Sequence, residues 1–354
     1  LKSVFHLITT INRGGAENQL LILVNEQIRQ GFEVHVIYLK GEPELRADFA
    51  SSGALVHSEL ASLSPLIQPF KFRKLIRGKN SIVHAHLPRA ELVALLTFTK
   101  FKLFTTRHNA EPFFPGAPRI ISNLLSRIVE LRSKKIIAIS SSVKDFLLLR
   151  GEIANPENIE VVHYGYRMRC DAKAARESQG GQIIKLGTIS RLADQKDIPT
   201  MLHAFMEYKA EFPASSLSIL GAGPLESELK KLTKSLGLSE SVNFLGRSSQ
   251  IYDFLRGLDA FILTSRYEGF GMVLLEAMDA GIPVVASRNS AIPEVLGDDF
   301  QGLCTTSDSK AFCQKINLLN DPAYREMILD KQRVRLQLFG AEVMSQKINE
   351  IYDF

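Results

Sequence analysis

The stretch DAFILTSRYEGFGMVLLEAMDAGIPVVAS, residues 259–287, passes through a strand, a glycine-rich loop, a helix and a second strand. AFIL is a continuous apolar run of strand length, RYEGFG is its exit loop, and MVLLEAM carries apolar residues at helical spacing. Gly281 and Pro283 stop that helix, because the first favours left-handed backbone and the second cannot continue a helix. IPVVAS is apolar again. Two strands with no polar face, joined through a helix, predict a parallel sheet covered by helices on both sides. Two acids bracket the loop, Glu268 within it and Glu276 in the helix beyond.

The same alternation continues outward along the chain. SVFHLIT, EVHVIYL, SIVHAH, KLFTTR, KKIIAIS and IEVVHY read as strands in the first half, and IIKLGTIS, SLSIL, VNFLG and GLC in the second. Helical segments such as AENQLLILVNEQIRQ and LESELKKLTKSLG lie between them. A polar, small-residue stretch, MRCDAKAARESQGGQ (168–182), interrupts the pattern. The fold class is therefore α/β, with two doubly wound domains: 1–166 and 167–338, followed by a helical segment, 339–354.

Composition narrows the function classes. The chain has 354 residues, 45% hydrophobic and 23% charged, as in globular proteins. No apolar run reaches the roughly 20 residues of a membrane-spanning helix. LKSVFHLITT reads as a buried first strand rather than a signal peptide. Three cysteines, Cys170, Cys304 and Cys313, form no CxxC pair, which fits a reducing, cytoplasmic compartment. The net charge is +5, and the excess lies in the first half, in KFRKLIRGKN, TKFKLFTTR and SRIVELRSKK. Apolar residues interleave these charges. Such clusters suit either a solvated helix face or peripheral association with an anionic membrane. No nucleic-acid motif is present.

In doubly wound sheets ligands bind beyond the carboxyl ends of the strands. After the first strand come Gly14 and Gly15, opening a helix whose free N–H groups favour an anion; an ordinary tight turn would use the same residues. After KLFTT comes His108, which can donate to a ligand oxygen or satisfy a structural contact. His84 and His86 share one strand face, but no third ligand at metal-binding spacing appears, so no metal is expected there. Arg191 and Lys196 follow the first strand of the second domain just before a helix, where two cations suit a diphosphate. GAGPLESELK opens a further helix, with Pro224 at a plausible first helical position, and FLGR, ending in Arg247, closes another strand. In the opening stretch, the amides of Phe270, Gly271 and Met272 are candidate donors to hydroxyls, and Glu268 and Glu276 candidate acceptors. Glu276 on a solvated helix face is the bland alternative.

As an ordered set these motifs resemble the retaining GT-B glycosyltransferases with an E-x7-E signature, the group 1, family 4-like transferases. The signature here is Glu268-GFGMVLL-Glu276; RGGAEN, VHAHLP, TTRHN, SRLADQKD, GAGPLESELK, FLGR and EAMDAGIPVVAS accompany it. The resemblance implies two Rossmann-like domains facing across a cleft, the first binding acceptor and the second nucleotide sugar, with the C-terminal helix crossing back to the first. It implies that Arg191 and Lys196 hold the donor diphosphate, with Gly15 closing over it and Gly14 among the donor-binding residues. Glu276 would bind ribose, and Glu268 with Phe270, Gly271 and Met272 the transferred sugar. The backbone at Arg247 would meet the base, and His108 would lie beside sugar and phosphate. Many relatives read P-N-G-V-D where this chain has His163-Tyr164-Gly165-Tyr166-Arg167; the glycine is kept and the acid is not, so nothing catalytic is assigned there.

The implied activity is metal-independent transfer of a sugar from a nucleotide sugar, expected to be a UDP-sugar, to a glycan or lipid-linked acceptor in cell-surface polysaccharide or glycolipid synthesis. No nucleic acid and no cofactor beyond the donor substrate are expected. A sugar-nucleotide epimerase on the same fold, or a non-catalytic partner subunit, are the alternatives.

Overall fold

The computed structural model describes residues 2–76, 81–169 and 182–352. Most of the polar stretch 168–182, including Cys170, lies outside the described residues. Two compact units emerge: 1–167 together with 339–354, and 168–338.

Among the described residues the first unit holds seven strands: β1 (Ser3–Ile8), β2 (Glu33–Tyr38), β3 (Leu55–His57), β4 (Ile82–His86), β5 (Lys102–Arg107), β6 (Lys135–Ala138) and β7 (Ile159–Val161). Their order is β3-β2-β1-β4-β5-β6-β7, with every neighbouring pair parallel. β3 escapes sequence reading: three residues at a sheet edge, none fully buried, leave no apolar run to detect. Apolar clusters fill both faces. Phe5, Leu7, Ile37, Phe72, Val83 and Leu103 form one. Val4, Leu23, Ile82, Phe104, Ile137 and Val162 form another, together with Met344, Ile348 and Tyr352. The last three come from the C-terminal helix Ala341–Ile351 and its cap, so that helix belongs to this unit's core. Gly165 permits its approach, because a Cβ there would stand 2.8 Å from the Ala341 Cα. The Tyr166 N–H donates to Phe339 O (2.6 Å) and the Ala341 N–H to Tyr166 O (3.1 Å), which ties the two segments together.

The second unit holds β8 (Lys185–Ile189), β9 (Ser216–Leu220), β10 (Val242–Gly246), β11 (Ala260–Leu263), β12 (Val284–Ser287) and β13 (Leu303–Cys304). The order is β10-β9-β8-β11-β12-β13, again parallel throughout. The opening stretch is β11, its exit loop, the helix Met272–Asp279 and β12. Pro224 does not start a helix: Gly223, Pro224 and Leu225 form a turn, and the helix begins at Glu226. Each unit reverses strand order beside its first strand, between β1 and β4 and between β8 and β11. Those are the points where such sheets open a crevice at their carboxyl ends. Among the described residues Cys304 and Cys313 are unpaired, and no helix is long and apolar enough to cross a membrane.

Candidate active site

In the second unit, β8 and β11 are neighbours at the switch point, so their exit loops meet. The Lys196 ammonium lies 2.6 Å from Glu268 Oε1, although 72 residues separate them. Ser265 Oγ donates to the same oxygen at 2.7 Å. The Glu268 N–H donates to Ser290 Oγ, also at 2.7 Å. Glu268 is buried and the Lys196 side chain is 18% exposed, which makes a close and partly shielded pair. Further bonds lock the loops: Gln195 Nε2 to Tyr267 O (2.8 Å), Arg266 N to Gln195 O (2.8 Å) and Thr264 Oγ1 to Lys196 O (2.9 Å).

Sequence reading missed the residue that anchors this arrangement. Asp197 is buried in left-handed backbone (φ 46°), where it accepts from Thr200 Oγ1 (2.9 Å), Ser307 Oγ (2.5 Å) and Arg266 (3.1 Å). An aspartate just before Ile198-Pro199 resembles a helix N-cap, and that was the available signal. Ser290, also left-handed (φ 48°), is a second non-glycine residue held in costly backbone at this loop cluster.

The GAG turn explains how the Arg191 loop is seated. A Cβ on Gly221 would stand 1.9 Å from Ser190 O, and one on Gly223 2.3 Å from Leu192 O. Only bare backbone lets β9's exit pass so close to β8's, where Leu192 N donates to Ala222 O (3.2 Å) and Leu225 N to Leu192 O (3.1 Å). Arg191 itself is exposed.

Gly271 caps the helix Met272–Asp279 in left-handed conformation (φ 89°, ψ 52°), with Phe270 buried beside it. Glu276 sits on this helix, half-buried. Burial pushes its carboxyl up to about 7, against the opposing charge of Arg169. The structure thus brings together Lys196, Glu268 and the Gly271 turn. Arg247 is apart from them, exposed at the exit of β10, two strands from β8; the Gly221 N–H, bonded to Gly246 O (2.7 Å), ties its strand end to the GAG turn.

In the first unit, Gly14 caps and Gly15 begins the helix Gly15–Arg29 at the exit of β1, with open space where a Gly15 side chain would project. His108 lies past β5 and is buried, with both ring nitrogens engaged: Nδ1 is 2.7 Å from Tyr164 Oη and Nε2 3.2 Å from His86 Nδ1. Burial pulls its pKa down to about 3, so the ring is neutral at physiological pH.

The expectation that His84 and His86 lack a third imidazole is corrected by the sheet. Parallel register sets His6 of β1 opposite His84 of β4, and the three rings offer nitrogens within 4.8 Å of one another. Spacing along the chain could not show this, because the third residue comes from another strand. Hydrogen bonds occupy these nitrogens: His84 meets Tyr352 Oη (2.5 Å) and Thr106 Oγ1 (2.6 Å), while His6 meets Gln27 Oε1 (2.8 Å) and His86 Nε2 (3.0 Å). Burial holds all three below the ordinary histidine pKa.

Two family models match the chain consecutively: Glycosyltransferase Family 4 over residues 13–168 and Glycosyl transferases group 1 over 173–335. The chain is 28% identical over 292 residues to the N-acetyl-alpha-D-glucosaminyl L-malate synthase of Bacillus anthracis, covering 78% of this chain and 76% of the relative. It is 25% identical over 349 residues, 94% of each chain, to a Campylobacter jejuni 4-alpha-N-acetylgalactosaminyltransferase named for a diphospho-undecaprenol acceptor. Among solved structures, Anabaena HepE in complex with UDP and glucose has the same fold, with a TM-score of 0.81, 20% identity and complete coverage of both chains.

Proposed function

This chain belongs to the group 1 glycosyltransferases, enzymes of polysaccharide and glycolipid synthesis, and we propose that it transfers a hexosyl unit from a UDP-sugar to a hydroxyl of a glycan or lipid-linked acceptor, with retention and without a metal. The observation that carries the reading is the Lys196–Glu268 pair at the switch point of the second unit, with Arg191 at the exit of the same strand as Lys196.

The chemistry follows from the charges. The bond between the anomeric carbon and the leaving phosphate oxygen breaks as the bond to the acceptor oxygen forms on the same face, and the leaving oxygen takes the acceptor proton. Negative charge grows on the diphosphate, and Arg191, Lys196 and the nearby helix Ile198–Glu211 N-terminus supply fixed positive charge for it. Glu268, with one oxygen committed to Lys196 and Ser265, would hold a sugar hydroxyl through the other. Glu276 would accept from ribose, and the Phe270–Gly271–Met272 turn would line the transferred sugar. The base would pack at Arg247. In the first unit the same reading assigns Gly14 and Gly15 to the donor's phosphate and sets His108 beside the sugar and phosphate as a ring edge, its nitrogens being engaged with His86 and Tyr164.

The acceptor reading draws on an inverted helix. Arg119–Arg132 buries Ser122, Ser126 and Glu130 while exposing Ile120 (82%), Leu124 (58%) and Leu131 (86%). The serines and the acid face inward because Phe114 N, Arg107, Ala154 N and Asn155 N bond to them. Arg119 and Arg127 flank the exposed apolar residues, which suits an anionic membrane carrying a lipid-linked acceptor. Sedimentation with anionic but not neutral vesicles, lost in Leu124→Glu/Leu131→Glu, is the expected outcome. No sedimentation with anionic vesicles at low salt would remove the membrane from the reading.

The deciding experiment measures thermal stability against UDP, GDP, ADP and CMP, repeated with Glu276→Ala. A ligand at 100 times its dissociation constant stabilises the fold by about 2.7 kcal/mol. UDP alone should shift the melt, the substitution should abolish the shift, and transfer should persist in chelator. No shift with any nucleotide would sink the donor assignment, and epimerised donor formed without acceptor would favour an epimerase.

A further inference from the structure

A single file of hydrogen bonds runs through the first unit from the helix Gly15–Arg29 to β5's exit. Gln27 Oε1 lies 2.8 Å from His6 Nε2; His6 Nδ1 lies 3.0 Å from His86 Nε2; His86 Nδ1 lies 3.2 Å from His108 Nε2; and His108 Nδ1 lies 2.7 Å from Tyr164 Oη. His6 and His86 are buried in β1 and β4, and His108 is buried just past the end of β5.

The chemistry of the root residue orders the whole file. A carbonyl oxygen only accepts, and a neutral imidazole has one donor and one acceptor nitrogen. His6 Nε2 must therefore carry the proton, which leaves His6 Nδ1 to accept from His86 Nε2. His86 Nδ1 then accepts from His108 Nε2, and His108 Nδ1 accepts from the Tyr164 hydroxyl. One assignment satisfies all four links, and reversing any ring would set two lone pairs or two N–H groups against each other. The Gln27 amide nitrogen faces the C-terminal helix, 3.5 Å from Asn349 Oδ1, which leaves its carbonyl oxygen toward His6.

We infer that Gln27, His6 and His86 are positioning residues for His108, holding its ring neutral with Nε2 protonated and Nδ1 committed to Tyr164. With both nitrogens spent, His108 presents a fixed, uncharged ring edge and cannot take the acceptor's proton, which goes to the leaving phosphate. The effect on transfer rests on the donor-side role proposed for His108; the tautomer order does not.

The test uses the full chain labelled with 15N-histidine, and long-range proton–nitrogen correlation to read each ring's tautomer. His6, His86 and His108 should all be Nε2–H and fail to titrate between pH 6 and 8. Gln27→Leu removes the acceptor at the root and should leave His108 in mixed tautomers. In that variant kcat for UDP-sugar turnover should fall about tenfold, with KM for the donor nearly unchanged, as for a group displaced without losing binding. Gln27→Glu retains an acceptor and should restore Nε2–H at His6, while its charge makes His6 titrate near neutrality and adds a step to the kcat–pH profile. Should Gln27→Leu prove unstable, Tyr164→Phe removes only the far donor. All three rings should then keep Nε2–H while the His108 Nδ1 shift moves to that of an unbonded lone pair. A switch of His108 to Nδ1–H there would show that Tyr164, not Gln27, orders the file. An Nδ1–H signal at His108 in the unsubstituted protein, or Gln27→Leu with an unchanged His108 tautomer, would overturn the inference. If the tautomers behave as expected and His108→Ala turns over normally, the donor-side role of His108 falls instead.

Discussion

Replacing Gly221 by alanine tests whether the GAG turn seats the cationic loop. A Cβ there would stand 1.9 Å from Ser190 O, at a backbone φ of +141°. Contacts below 3.0 Å are essentially never seen, so one of the two backbones must yield by about 1.1 Å. The strained φ costs about 1–3 kcal/mol, and forced overpacking typically adds about 1–3 kcal/mol more. In a unit of this size each kcal/mol lowers Tm by about 2–4 °C, so a fall of roughly 10 °C is expected. The segment that yields carries Arg191 and leads to Lys196, and a displacement of about 1 Å costs on the order of 10²-fold in turnover. Calorimetry with and without UDP, alongside turnover, reads both effects. Gly237→Ala is the control, because its φ is +72° but nothing lies within 4 Å of the added Cβ. It should lose about 1 kcal/mol and keep its full response to UDP. If Gly221→Ala melts and responds to UDP as the unsubstituted protein does, the close approach is not what seats the loop.

Other outcomes follow from the same structure. Arg191→Ala and Lys196→Ala should each lower turnover by at least about 10²-fold, and near-normal rates in both would remove the cationic clamp. With Glu276 held up to about 7, UDP affinity should weaken as pH falls from 8 to 6, because the protonated carboxyl accepts ribose hydroxyls poorly. Titration calorimetry would show this, and a profile unaltered by Glu276→Gln would assign the pH effect elsewhere. Folding stability should also decline in acid. His6 and His108, held at about 4 and about 3, bind protons only after unfolding once pH drops below their ordinary 6.5. Each then loses roughly 1.4 kcal/mol per pH unit. His84 and His86 shift the same way, whereas Glu91 and Glu276, both raised to about 7, bind protons in the folded state and offset part of the loss. Four groups against two leave a net loss near pH 5.5, and denaturant midpoints that do not fall from pH 7 to 5.5 would contradict the burial of the histidines.

The strands were legible wherever burial on both faces made them apolar, as in AFIL and VVAS, and so was the loop between Glu268 and Glu276, because glycine marks backbone that needs unusual angles. β3 was hidden because an edge strand of three residues has no burial pattern to advertise. The inverted face of Arg119–Arg132 was hidden for a different reason: its buried serines and Glu130 are chosen by partners in other segments, not by its own periodicity.

The amino-acid sequence thus settles what each segment is, since local spacing, turn chemistry and apolar content are properties of neighbours in the chain. Which segments meet was decided only by the fold. Lys196 finds Glu268 because β8 and β11 pair at a reversal of strand order, and His6 joins His84 because β1 and β4 do the same. Those pairings depend on parallel register between strands tens of residues apart, a long-range constraint that leaves no periodic trace at either end.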